Sequence, residues 1–394
     1  MNTNFDEVVD RLHTNSAKWD GIPDEYGKNV IALSVADMDL RAPQVLVDKM
    51  TEVAQHGIYG YTELFPPYYA AVQSWFQRMY DWKIDREWIV FCPRIVQAVS
   101  LIIQHFIDEG DKVLVHTPSY MPITNAIKVN RRKLVESPLL LKNGRYEIDF
   151  EDTEAKMRTG VKILLLCSPH NPTGRVWTKE ELWHIGELCL KYNVLLISDD
   201  IHADFIHGKH RHTFVGSLSE QLAQQSIICT SPGKTFNLAS LEIANIIIPN
   251  EKYRSKFKES MIQAGIHNPT FFAVPALETA YTSCDDWLIG VKDYISDNVS
   301  FTKEFCREHL PKIKLIDPEG TYLIWMDCRD WSMNEADLKQ WILEEAKVNV
   351  SFGSSFGKKY EGFIRLNLGT PRALLHEGLR RIAQVYRSTK TIKI

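Results

Sequence analysis

The sequence lacks long basic runs and long apolar runs. Its 46 Lys and Arg against 50 Asp and Glu give a net charge of -4, so electrostatics does not favour a nucleic acid or an anionic membrane as partner. No apolar stretch reaches the roughly 18 residues of a membrane span. Residues 1–10 also lack the basic and apolar regions of a secretion signal, so we expect a cytoplasmic protein.

The seven cysteines are odd in number, widely spaced and contain no Cys-x-x-Cys pair. This pattern argues against a disulfide framework and against a zinc site, and we expect no metal. No internal repeat or low-complexity segment is present. The length of 394 residues and the ordinary composition predict a soluble globular protein of two domains.

Short apolar runs alternate with helical patterns between residues 88 and 248, which is typical of buried parallel strands joined by crossover helices. The runs are 112–116, 161–167, 194–198, 227–230 and 243–248. Thr178 and Glu181 form a capping box at the start of one such helix. Ligands of an open α/β sheet bind beyond the carboxyl ends of its strands, so the residues that follow each run are the candidates for a site.

Beyond about residue 285 the pattern changes to a long helix, three strands and two further helices. We predict helices at 287–310 and 335–347, strands at 313–316, 321–327 and 363–367, and a last helix. Residues 1–45 have too little apolar content for a core of their own. The predicted division is therefore a large domain of residues 46–284 and a small domain of residues 1–45 plus 285–394.

Lys234 lies in the small-residue loop Ser231 to Leu241, directly after an apolar run. A hydroxyl residue, a glycine and a lysine after a strand can hold a phosphate and present an amine. The alternative is an exposed lysine in an ordinary connection.

Polar side chains also follow two other runs. Asp199 ends one run and His202 follows it closely, and Asn171 lies between two prolines after another. Asp199 could keep a heterocyclic nitrogen protonated, with His202 as a second polar contact, and Asn171 could donate to a ring oxygen. Alternatively, Asp199 is the N-cap of a following helix, and the prolines near Asn171 are simply turn residues.

Three further residues are candidates. Tyr120 follows the first run, where its ring could stack on a planar ligand or serve only for packing. A helix opens near Arg94, so free amides there could bind an anion, although Arg94 could equally be a surface charge. Arg365 lies inside an apolar strand, where its guanidinium could bind a carboxylate ligand or form an internal salt bridge.

These residues stand in six ordered motifs. They are Val-Ala-Asp-Met-Asp (35–39), Tyr-Gly-Tyr-Thr (59–62), Ser-Pro-His-Asn-Pro-Thr-Gly-Arg-Val-Trp (168–177), Ser-Asp-Asp-Ile-His-Ala-Asp (198–204), Ser-x-x-Lys-Thr-Phe-Asn-Leu-Ala (231–239) and Arg-Leu-Asn-Leu-Gly-Thr-Pro (365–371). Over essentially the whole chain they resemble the fold-type I pyridoxal phosphate (PLP) enzymes, in the class I/II aminotransferase-like branch of bacterial cystathionine β-lyases, also called C–S lyases. The resemblance implies an α/β fold with a mostly parallel seven-stranded sheet in the large domain and a smaller α/β domain.

The resemblance also implies a role for each candidate. Lys234 would be the catalytic residue bound to PLP, Asp199 the partner of the ring nitrogen, and Arg365 the ligand of the substrate carboxylate. Asn171 and His202 would approach the ring hydroxyl and Tyr120 would stack on the ring. The phosphate would be held by Ser231, by backbone amides near Ile95 and Val96, and by Tyr61 of a partner subunit, which implies a homodimer with composite sites.

The chain departs from the family pattern near the phosphate. Asp200 replaces a usual Glu, Ser240 a usual Gly, and Glu242 a Gln or Arg, while residues 94–97 read Arg-Ile-Val-Gln where Gly-Val-Val-Pro is usual. A carboxylate at position 242 would repel the phosphate unless Arg94 compensates or Glu242 points away.

The resemblance implies β-elimination of L-cystathionine or related cysteine S-conjugates to a thiol, pyruvate and ammonia. The same residues also suit an aminotransferase. A third possibility is a regulatory protein with the same fold and weak or no catalysis. The departures from the family pattern at Arg94 and Glu242 suggest this alternative.

Overall fold

A computed structural model describes residues 3–22, 26 and 29–392. Helices lie at α1 Gln44–Gln55, α2 Pro66–Tyr80, α3 Ile95–Phe106, α4 Met121–Val129, α5 Phe150–Met157, α6 Lys179–Tyr192, α7 Glu220–Gln225, α8 Pro232–Thr235, α9 Glu251–Gln263, α10 Ala273–Ser283, α11 Asp285–His309, α12 Glu335–Lys339 and α13 Arg372–Ile392. Strands lie at β1 Ile31–Ala32, β2 Ile89–Cys92, β3 Lys112–Thr117, β4 Lys133–Pro138, β5 Leu140–Lys142, β6 Arg145–Glu147, β7 Val161–Cys167, β8 Leu195–Asp199, β9 Ser226–Thr230, β10 Ala244–Ile247, β11 Lys314–Ile316, β12 Leu323–Asp327, β13 Val348–Asn349, β14 Ser351–Phe352 and β15 Phe363–Asn367.

A seven-stranded sheet forms the centre of the molecule, in the order β2-β10-β9-β8-β7-β3-β4. Neighbouring strands from β9 to β4 run parallel, whereas β10 runs antiparallel to both β9 and β2. The apolar runs are buried because helices cover both faces of the sheet. The predicted mostly parallel seven-stranded sheet is confirmed, and so is the capping box of α6, in which Thr178 and Glu181 each bind the other's backbone amide.

A second, antiparallel sheet has the order β11-β12-β15-β14. Helix α11 links the two sheets. Its first half, including Trp287 and Val291, packs in the core of the large sheet, and its second half, including Val299 and Phe305, packs in a separate core with α12, α13 and the small sheet.

The predicted division at residue 285 remains a prediction. Within the N-terminal segment, Ile31 and Leu33 join the small core while Met38 and Leu40 join the large one, so this segment bridges the two. Residues 1–2, 23–25, 27–28 and 393–394 of the predicted small domain lie outside the described residues.

One predicted helix is shorter than expected. The pattern at 335–347 indicated a continuous helix, but α12 ends at Lys339 and residues Gln340–Glu345 form a wider π-helical turn. That turn buries the adjacent side chains of Trp341 and Ile342 together, which explains why the helical repeat changes there. Among the described residues, helices with both the length and the apolar content for a bilayer span are absent.

Candidate active site

The candidate residues meet at the carboxyl edge of the central sheet. Tyr120 follows β3, Asn171 follows β7, Asp199 ends β8 and Lys234 lies on α8 directly after β9. Strands β3, β7, β8 and β9 are parallel neighbours, so their carboxyl ends share one edge. Four residues that are spread along the chain from position 120 to position 234 are thereby brought to one edge of the sheet.

Lys234 is held by a short capped turn. Ser231 accepts the amide hydrogen of Gly233 at 3.0 Å and donates to the carbonyl of Ile243 at 2.6 Å. The Lys234 amine donates to the carbonyl of Ala36. Burial lowers the pKa of Lys234 to about 8, with Arg365 lowering it further and Asp37 and Asp199 opposing the shift. An amine with this pKa can carry or release a proton near neutrality.

The segment around Ala36 is a part of the site that the sequence did not assign. Tyr322 donates its hydroxyl to the Ala36 carbonyl at 3.1 Å. Asn367 donates its amide to the carbonyls of Val35 at 2.8 Å and Asp37 at 2.7 Å. The motif at 35–39 marked this segment, but only the fold shows that its backbone contacts the Lys234 amine.

Asp199 is buried, and the backbone N–H of Ile201 donates to it at 3.2 Å. Burial raises the pKa of Asp199 to about 7, and the neighbouring Asp200 adds to the rise while Lys234 opposes it. The N-cap alternative is wrong, because residues 201–204 form a turn and the next helical residues begin at Val215. A carboxylate with a raised pKa gains from a cationic N–H partner in the cleft.

A second layer of buried polar side chains lies behind Asp199 and Lys234. Asp204 accepts hydrogen bonds from Tyr80 and from Thr235, the residue that follows Lys234. Asp200 lies 3.0 Å from the ring nitrogen of His212. Asp204 stands in the motif at 198–204, but its partners come from other elements, so sequence alone gave it no role.

His202 is buried, and burial lowers its pKa to about 3, with Lys234 and Arg365 lowering it further. Its ring lies 5.7 Å from that of Tyr322. The Nδ1 atom has no hydrogen-bond partner among the described residues. His202 is therefore a neutral imidazole with one ring nitrogen free for a ligand.

Arg365 projects from β15 and is 4% exposed. Its Nη1 donates to Asn171 Oδ1 at 2.8 Å and its Nη2 to Ser351 Oγ at 3.1 Å, and the guanidinium lies 4.9 Å from the Phe356 ring centre. The salt-bridge alternative is wrong, since among the described residues the guanidinium has neutral partners only and its Nε has none. Burial lowers its pKa to about 10. A buried cation with only neutral partners favours an anionic ligand.

Tyr120 lies directly before α4 and is 37% exposed. Burial raises the pKa of Tyr120, while Arg365 lowers it and Asp199 raises it. Whether its ring stacks on a ligand stays a prediction.

The predicted phosphate ligands are brought together only in part. Ile95 and Val96 open α3, and Ser231 caps α8 on the far side of β10. Arg94 and Glu242 form an ion pair with each other, so Glu242 is not an unpaired carboxylate. Tyr61 is 101% exposed in the single chain and makes no described contact with these residues.

The chain belongs to the aminotransferase class I and II family, whose model matches residues 28–382. It is 41% identical over 381 residues to cystathionine β-lyase PatB of Bacillus subtilis, covering 96% of this chain and 98% of the relative. Two solved structures are also similar. Cystalysin from Treponema denticola, which contains a pyridoxal 5'-phosphate cofactor, has a TM-score of 0.95 and 35% identity over 99% of this chain and 100% of the other. The PLP-bound C–S lyase from Staphylococcus hominis has a TM-score of 0.91 and 33% identity over 98% of each chain. The predicted fold-type I architecture is confirmed.

Proposed function

We propose that this chain is a PLP-dependent C–S β-lyase that acts on L-cystathionine or related cysteine S-conjugates. One observation supports the chemistry. Lys234, whose pKa burial lowers to about 8, and the buried Asp199 lie at the carboxyl edge of the central sheet. Arg365, which has no carboxylate partner among the described residues, reaches the same edge through Asn171. The likeness to a cystathionine β-lyase over nearly the whole of both chains supports the choice of reaction.

The residues fit PLP. Two buried polar atoms of the candidate residues, His202 Nδ1 and Arg365 Nε, have no hydrogen-bond partner among the described residues. Lys234 would attach the cofactor, Asp199 would pair with its ring nitrogen, Asn171 and His202 would approach its ring oxygen and Tyr120 would stack on its ring. Ser231 and the amides of Ile95 and Val96 would hold its phosphate. When bound, PLP supplies an electron sink for the charge that develops at the substrate Cα.

The protein's own groups then bind, orient and move protons. Arg365 binds the substrate carboxylate through its planar fork, with Asn171 and Ser351 fixing the guanidinium. Once the substrate amino group has replaced it on the cofactor, the Lys234 amine would be free to remove the Cα proton. In the structure this amine donates to the Ala36 carbonyl. Asp199 would keep a proton on the ring nitrogen of the cofactor. The Cβ–S bond breaks, and sulfur leaves with the bonding electrons and takes up a proton to become a thiol. Water then hydrolyses the remaining C–N bond, which gives pyruvate and ammonia.

A homodimer with composite sites is part of the proposal. Tyr61 is exposed and unused within one chain, although its predicted role is at the phosphate. An apolar groove lies near the same segment, lined by residues of α1 together with Ala42, Leu238 and Phe272, and a second copy of the chain would cover it.

The proposed location is the cytoplasm, in keeping with seven cysteines that form no disulfide.

A product assay tests the activity. L-cystathionine should give steady pyruvate and ammonia without an added keto acid. Lys234→Ala should remove the visible absorbance band of bound cofactor and lower turnover by at least about 10²- to 10⁴-fold, the usual contribution of a proton-transfer group. If this variant keeps the absorbance band or its turnover, the proposal is refuted.

A mixing experiment tests the composite site. Dimers in which both subunits carry Lys234→Ala should be weakly active, and so should dimers in which both carry Tyr61→Ala. Mixed dimers should regain activity, because one of their two sites then combines an intact Lys234 with an intact Tyr61. No gain on subunit exchange would show that Tyr61 serves no partner site.

The alternative is an aminotransferase, which the family membership favours. The same assay separates the two. Turnover that requires 2-oxoglutarate and releases no ammonia would replace the lyase with an aminotransferase. A purified protein that gains no visible band when PLP is added would instead favour the regulatory alternative.

A further inference from the structure

Arg94 and Glu242 face each other across the end of a strand pair. Strands β2 and β10 are antiparallel, with Cys92 opposite Ala244. Continuing that register by two residues places Arg94 opposite Glu242, so their side chains leave the pair on the same face. The ion pair between them therefore follows from strand pairing, and it lies at the mouth of the proposed phosphate site.

Arg94 occupies an electrostatically unfavourable position. It is the N-cap residue of α3, and its side chain caps none of the free amides of the first turn. That first turn contains no acidic residue. The N-terminus of a helix carries a partial positive charge that disfavours a cation and attracts an anion. The guanidinium and the uncapped N–H groups together make this end of α3 attractive to an anion.

Glu242 is also in an unusual conformation. Its backbone has φ 57° and ψ 63°, in the left-handed region that glycine adopts without strain. A non-glycine residue is uncommon in this region. The carboxylate of Glu242 pairs with Arg94.

On the basis of the proposed function, we propose that Arg94 is a ligand of the cofactor phosphate and that Glu242 competes with the phosphate for it. Before PLP binds, the carboxylate neutralises the guanidinium beside the uncapped end of α3. The phosphate would carry more negative charge than the carboxylate. It would also be held by the α3 amides, and by Ser231 once its hydroxyl leaves the Ile243 carbonyl. It therefore displaces Glu242 from Arg94. Because Glu242 competes for the guanidinium, its presence raises the dissociation constant of PLP.

The test measures the dissociation constants of PLP and of pyridoxal, which lacks the phosphate. The holoenzyme is diluted and the bound fraction is read from the visible absorbance. Arg94→Gln should raise the PLP constant about tenfold or more, as expected for loss of a charge-assisted bond, and leave the pyridoxal constant unchanged. Glu242→Gln should lower the PLP constant several-fold, again without effect on pyridoxal.

A matched control lies at the other end of α3. Arg131 and Glu109 form an exposed ion pair there, and Arg131→Gln should leave both constants unchanged. Raising the salt concentration should weaken PLP binding less in Arg94→Gln than in the natural chain.

The inference is overturned if Arg94→Gln leaves PLP binding unchanged or changes both constants equally, or if Glu242→Gln weakens PLP binding. These failures differ from failure of the proposed function, in which the natural chain itself would bind no PLP.

Discussion

Replacing Arg365 should show whether this residue binds a substrate carboxylate or stabilises the fold. Burial lowers its pKa to about 10, so its charge costs the folded protein on the order of 3 kcal/mol. Against this stand two hydrogen bonds to the neutral partners Asn171 and Ser351, each contributing about 0.5–1.5 kcal/mol. The two sides nearly balance, so Arg365→Met should leave the free energy of unfolding unchanged or slightly raised.

The effect on activity should be large. A carboxylate bound by two charge-assisted hydrogen bonds gains about 1.5–3 kcal/mol from each. Loss of both corresponds to a decrease in kcat/KM of about 10²- to 10⁴-fold. Arg365→Lys keeps the charge but not the fork, so it should recover only a part of this loss.

The assay compares a cysteine S-conjugate with its decarboxylated amine. The natural chain should strongly prefer the amino acid, and Arg365→Met should lose most of that preference while its thermal unfolding midpoint stays the same. If the variant unfolds more easily and keeps the preference, Arg365 is a structural residue and the assignment is wrong.

Two further predictions concern the residues around Lys234. In the cofactor-free protein, the pKa of about 8 leaves about a tenth of the amine neutral at pH 7 and half at pH 8. Because the neutral amine is the nucleophile, stopped-flow mixing with PLP should show association about fivefold faster at pH 8 than at pH 7; a flat profile would contradict the lowered pKa. Asp204→Ala removes the acceptor of Tyr80 and Thr235 and should lower the free energy of unfolding by about 2–4 kcal/mol. Tyr80→Phe should cost only about 1 kcal/mol in the same denaturant titration, and equal losses would refute the shared role of Asp204.

The regular parts of the fold could be predicted because their signals are local. Strands β3, β7, β8 and β9 are continuous apolar runs, and α6 begins at a capping box. The helix at 335–347 could not be predicted in detail. Its change to a π-turn depends on burying Trp341 and Ile342 against elements distant in sequence.

The sequence also led to the candidate site, since its residues follow apolar runs that had to end at one edge of a parallel sheet. It left two alternatives that only contacts could decide. Asp199 is not an N-cap because the chain turns after it. Arg365 donates to Asn171 and Ser351 and has no carboxylate partner among the described residues, which leaves its other N–H groups for a ligand.

The sequence by itself determined the α/β architecture and the residue types that carry the proposed chemistry, because periodicity and strand-end motifs are properties of short segments. The tertiary structure decided how those residues are held. The Ala36 carbonyl meets the Lys234 amine, Asp204 supports Thr235, and Arg94 meets Glu242. Each of these contacts joins segments that are more than 30 residues apart and that only strand pairing and core packing bring within hydrogen-bond distance.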